Sequence, residues 1–232
     1  MATERSARPP ENVASQAMAV LAKDLRSELR SRSALNAILL FAVTALVVVG
    51  FAAGGALKGA VIQAALLWVI LFFAAFAGLA HSFQTEMETG TWLALNLSCS
   101  PSAIYAGKLV FNLVLLLTIV VLVAPLFALM ASLSVVRPVA FAMVVLFGSV
   151  GLGAGATFTA AILARAGGQS ALYGALGFPL LLPLLLMAVR ATSLTLQPGD
   201  ANEIWRILSG LVAFATMLIL GGALLFPILW ED

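Results

Sequence analysis

The residues with the most varied chemistry in this sequence fall in one stretch, His81 to Lys108. It holds the single histidine, the single cysteine (Cys99), the acidic pair Glu86 and Glu88, and Trp92. Such types can serve metal ligation, acid–base catalysis or thiolate attack. One histidine cannot build a His-rich metal site within one chain, and one cysteine cannot close an intrachain disulfide. The sequence contains no C-x-x-C-H for covalent haem attachment, no G-x-x-x-x-G-K-[ST] phosphate loop, no H-E-x-x-H and no G-x-S-x-G. The chain is therefore expected to have no catalytic centre and to bind no metal or cofactor of its own. His81, at the end of an apolar block, reads as an interfacial residue, and Cys99 as a small one.

What the stretch can offer instead is a surface. It is long for a bundle connection and mixes acids with Trp92, Leu93, Leu95 and Leu97. Gly90 allows a sharp bend after the acidic pair, and Ser100 with Pro101 marks the start of a helix. A short helix lying flat here, with acids and an apolar anchor on view, suits docking by a soluble partner.

The elements that must carry this stretch are apolar. Of the 232 residues, 62% are hydrophobic and 9% charged, against roughly a quarter charged in a soluble domain. So few charges cannot cover a water-facing shell, and lipid is the expected solvent. The apolar residues come in blocks, as in Ile38 to Val49, and not in the alternation of a barrel strand. A bilayer core about 30 Å thick takes about 20 apolar residues per helix, which predicts six spans: Ala34–Ala53, Ala60–Ala80, Leu109–Ala131, Val139–Ala164, Ala171–Val189 and Ile207–Leu229. Residues 1–12, with Pro9 and Pro10, read as a disordered lead. Residues 13–33 read as an amphipathic helix lying in the membrane interface, with Met18, Leu21, Leu25 and Leu29 on one side and Lys23, Asp24, Arg26, Glu28, Arg30 and Arg32 elsewhere. Glu28 and Arg32 are placed for an i,i+4 pair. Residues 34–232 form the membrane domain. The first 33 residues have no early apolar core, so insertion is expected to use the first span itself.

The basic cluster Arg5, Arg8, Lys23, Arg26, Arg30 and Arg32 ahead of the first span puts the N-terminus in the cytoplasm. Six spans return the C-terminus there, with Lys108 and Arg165 in inner loops and Lys58, Arg137, Arg190 and Arg206 in outer ones. A net charge of +2 gives no basis for nucleic-acid binding. The ten carboxylates avoid the middles of the spans, which argues against a carrier or pump worked by intramembrane protonation. Energy for any transport must then come from a partner. In the fourth span, Gly148, Gly151 and Gly155 permit close helix packing. In the fifth, Pro179 and Pro183 interrupt backbone bonding and are candidate hinges.

Three segments carry a resemblance. The run from Gln84 through Glu86, Glu88-x-Gly90-Thr91, Trp92, Leu93 and Leu95 to Ser98-x-Ser100-Pro101 and Ile104-Tyr105-x-Gly107-Lys108 resembles the coupling region of ABC-2-type permeases. The small-residue run Gly148 to Thr159 and the segment Phe178-Pro179 to Pro183 and on to Thr192 narrow the likeness to the CcmB family, haem exporter protein B of the cytochrome c maturation complex. Trp92 and the polar Leu97–Pro101 depart from the usual pattern. The resemblance covers nearly the whole chain after about Val20. It implies an all-α, six-helix permease in a bacterial inner membrane, with the coupling helix on the cytoplasmic side between spans two and three. It also implies a separate ABC ATPase subunit that binds ATP, a homodimer of this chain, further cytochrome c maturation subunits in the membrane, and haem as a cargo of the complex. An ABC-2 exporter for a drug, lipid or glycan, or a membrane scaffold without a transport cycle, would fit the same coupling features.

Overall fold

A computed structural model describes residues 12–53, 59–79, 97–165 and 170–230. Its elements are α1 (Val13–Ser31), α2 (Ser33–Ala53), α3 (Ala60–Leu79), α4 (Pro101–Met130), α5 (Pro138–Arg165), α6 (Ser170–Thr195) and α7 (Ala201–Trp230), and no strand occurs among the described residues. The helices α2 to α7 are each long and apolar enough to cross a membrane. Helices satisfy most of their backbone polar groups internally, the condition for a chain segment in hydrocarbon. They alternate in direction, so α1 lies at the end of the bundle where α2, α4 and α6 begin.

The small-residue helix α5 sits at the centre, packed on α3, α4, α6 and α7. It is the most buried of the six spans and α2, which packs on α3 and α4, the least. Tertiary polar contacts are few and specific. Trp68 Nε1 of α3 donates to Thr192 Oγ1 of α6 at 2.9 Å, and Asn112 Nδ2 of α4 donates to Thr157 Oγ1 of α5 at 3.0 Å. At the end away from α1, the Arg137 guanidinium donates to the carbonyls of Leu194 and Gln197 at 3.2 and 3.1 Å and to that of Gly199. It thereby gathers the α6–α7 turn onto the start of α5.

Three helix bounds differ from the sequence expectation. The third span begins at Pro101, eight residues before Leu109, so Lys108 lies inside α4 and not in a loop. The polar stretch Arg190–Arg206 is mostly helix: α6 runs on to Thr195 and α7 starts at Ala201. Its polar groups are used locally, with Ser193 and Thr195 hydroxyls donating to carbonyls three residues back and Arg190 paired to Glu203 at 2.9 Å. Pro179 and Pro183 both stand inside α6, which continues through them. The tertiary packing of α6 on α3, α5 and α7 holds the helix where two backbone bonds are missing.

Candidate functional site

The site is the junction between α1 and the first turns of α4, where the chain arrives from the His81–Asn96 stretch. Ser100 is the N-cap of α4, its Oγ accepting from Ala103 N at 3.4 Å, and Pro101 occupies the first turn. Proline fits there because its missing N–H would have had no helical partner. The N–H of Ser100 is itself held by the Gln16 side chain of α1 at 2.9 Å. The entry of α4 is thus capped from inside by Ser100 and from outside by α1.

Farther along, α1 and α4 come into direct contact. A Cβ on Gly107 would lie 2.7 Å from Val20 Cβ and 2.8 Å from the Ala17 carbonyl oxygen, so glycine is required for this approach. Beside it, Lys108 Nζ, fully buried, meets Asp24 Oδ2 at 3.2 Å, and Lys23 Nζ meets Asp24 Oδ1 at 3.2 Å. Val20 and Asp24 are four residues apart and so share one helix face; both are buried. The position of Asp24 corrects its reading as part of a solvated polar side.

The other acid of α1 is also turned inward to the fold. Glu28 Oε1 accepts from Leu35 N at 2.8 Å, satisfying a first-turn donor of α2. Its expected pairing with Arg32 gives way to this cap. Arg32 is the only residue between α1 and α2. It takes the left-handed conformation (φ 54°, ψ 22°), with its N–H on the Glu28 carbonyl.

Of the expected coupling residues, Gln84, Glu86, Glu88, Gly90, Thr91, Trp92, Leu93 and Leu95 lie outside the described residues, as does His81. Pro101 is at the junction just described. Gly148, Gly151 and Gly155 are all on α5 and receive, in turn, the Trp68 ring, Leu184 and Leu181 of α3 and α6. Pro179 and Pro183 are remote from the junction in sequence and lie on the exposed side of α6. Sequence reasoning gave Gln16 no role and did not pair Asp24 with Lys108 or Gly107 with α1. A signal for two of them was present in the Ile104-Tyr105-x-Gly107-Lys108 motif, whose glycine and lysine are the surface that receives α1.

Between α4 and α5, nearer their far ends, lies an open groove of about 320 Å³ lined by Leu117, Val121, Pro125, Phe141 and Leu146 among others. Its lining is apolar throughout. Among the described residues no group of three or more His, Cys, Asp or Glu side chains forms a metal site.

No curated protein matches the chain. A family model does, over residues 15–224, a span that begins within α1 and ends near the close of α7. The chain, a bundle of six membrane-length helices with α1 docked at one end, belongs to the CcmB protein family.

Proposed function

We propose that this chain is the membrane permease subunit of an ABC-type complex in cytochrome c biogenesis. A separate subunit hydrolyses ATP, and the cycle serves haem delivery or the release of a haem-loaded chaperone. Family membership over residues 15–224 supports the assignment to haem export. The observation that carries the coupling part is the junction itself: the chain emerging from the His81–Asn96 stretch is gripped at Ser100 by Gln16 and at Lys108 by Asp24. A push delivered to that stretch by an ATPase would reach α4 and α1 together.

In this reading Glu86 and Glu88 meet basic groups of the ATPase and Trp92, Leu93 and Leu95 supply the apolar anchor, with the junction on the cytoplasmic side of a bacterial inner membrane. Two copies of the permease work with two ATPase subunits. Haem is a cargo of the complex and not a resident group. Its carboxylates call for cationic or hydrogen-bonding partners, and the α4–α5 groove offers them none.

The test is complementation of a deletion strain. Loss of the chain should abolish holocytochrome c while haem synthesis continues. Glu86→Lys and Gly90→Pro should fail to restore it and should co-purify less ATPase than the native chain. Normal holocytochrome c in the deletion strain would instead favour export of another cargo, and full ATPase recovery with both variants would move the coupling surface elsewhere.

A further inference from the structure

The docked face of α1 leaves two stripes outward. Met18, Leu25 and Leu29 form an apolar stripe, exposed by 63%, 39% and 66%. Arg26 and Arg30, four residues apart and both exposed, form a basic stripe beside it. The acids of the same helix do not offset that stripe on the outside. Asp24 is buried with Lys108, and Glu28 caps α2 through Leu35 N. The helix has sorted its charges, with carboxylates turned to the protein and guanidinium groups turned away from it. Position adds a second constraint. Only Arg32 separates α1 from α2, whose membrane-length span begins at Ser33, so the last turn of α1 directly adjoins the first span.

From this arrangement we infer that the outer face of α1 is a binding surface for anionic phospholipid, with Met18, Leu25 and Leu29 inserted among acyl chains and Arg26 and Arg30 on the phosphate-bearing headgroups. Neutral lipid would satisfy the apolar stripe alone, and the segregated arginines are what select negative headgroups. The inference rests on the membrane spans and not on the ATP-coupled reading.

Its test needs no ATPase. The full-length chain is placed in nanodiscs of phosphatidylcholine, with or without roughly one-fifth phosphatidylglycerol, and lipid retained through detergent extraction is measured by mass spectrometry. The native chain should enrich phosphatidylglycerol, and Arg26→Gln and Arg30→Gln should each lower its apparent affinity about fivefold, the equivalent of about 1 kcal/mol per basic residue near a charged surface. Raised salt should weaken the enrichment. A spin label at Ala22→Cys, in a Cys99→Ser background, should be open to oxygen and shielded from a water-soluble nickel chelate. Equal phosphatidylglycerol retention by the native chain and a chain carrying both Arg26→Gln and Arg30→Gln would overturn the inference. So would a label at position 22 that the chelate reaches freely, or one shielded from both the chelate and oxygen, which would make this face a protein interface.

Discussion

Asp24→Ala should release α1 from α4, and the single cysteine is placed to report it. At 3.2 Å the Asp24–Lys108 pair has a gross Coulomb attraction of about 5 kcal/mol at an effective dielectric of about 20. Desolvation offsets part of this, but removing one partner of a buried pair still costs about 3–5 kcal/mol, because the other charge stays behind. Asp24 keeps a sliver of exposure, so water can reach the space its side chain leaves, and the lower end, about 3 kcal/mol, applies. Cys99 adjoins Ser100, whose N–H is bound by Gln16. When opening is fast relative to alkylation, the rate of Cys99 modification follows the open fraction of the junction. Cys99 is half-buried in the closed junction, so a loss of about 3 kcal/mol predicts a maleimide reaction faster by up to roughly a hundredfold.

The pair replacement Asp24→Leu with Lys108→Met removes both charges and should bring the rate back to within about fivefold of the native chain, since apolar groups of similar volume often replace a buried pair without loss. An unchanged rate in Asp24→Ala would show that the pair does not hold α1. A double variant as fast as the single one would show that packing at Asp24, and not charge, was lost.

Two other contacts make predictions of the same kind. A Cβ on Gly222 would run into the Tyr105 hydroxyl, which is buried without a hydrogen-bond partner among the described residues. Gly222→Ala should therefore destabilise the bundle by about 1–3 kcal/mol, read as a shift in denaturation midpoint, and Tyr105→Phe in the same chain should recover only part of it, because the ring Cζ would still crowd the added Cβ; no recovery would place the whole clash on the ring and none on the hydroxyl. Arg137→Gln should free the α6–α7 turn from its carbonyl contacts and speed amide exchange in residues 196–200 by about tenfold, for about 1–2 kcal/mol of partly exposed charged hydrogen bonds. Exchange in α3 and α5 should stay as it was, and unchanged exchange at 196–200 would refute the clamp.

The spans were readable because lipid imposes a coarse rule that composition obeys: a helix such as α2 or α3 is apolar on every side. Their ends were less readable, for a physical reason that recurs. Lys108 looked like a loop residue because a lysine in an apolar helix is costly, and the partner that offsets the cost, Asp24, lies 84 residues away. The start of α7 was missed on the same logic, since Glu203 and Arg206 read as connector until Arg190 is seen opposite Glu203. In α1 the periodicity grouped Met18, Leu21, Leu25 and Leu29, of which Met18, Leu25 and Leu29 are exposed and Leu21 packs against the core. It could not tell which polar residue would be buried, because an aspartate facing a lysine on another helix and an aspartate facing water have the same local pattern.

The same long-range pairing bears on how motion would travel. Residues 16, 20 and 24 of α1 engage residues 100, 107 and 108 of α4, so the two helices are tied at successive points and not at a pivot. The other end of α1 passes through the single residue Arg32 into α2, with Glu28 fastened to Leu35. A displacement entering at Ser100 is therefore shared between α4 directly and α2 through α1. These spans meet the rest of the bundle differently: α4 packs on the central helix α5, while α2 packs on α3 and α4. The polar pins Asn112–Thr157 and Trp68–Thr192 fasten α4 to α5 and α3 to α6, and α2 is the span with the fewest such restraints among the described residues. Under the ATP-coupled reading, α2 is thus the span with most freedom to move when the junction is pushed, and α1 is the lever that moves it.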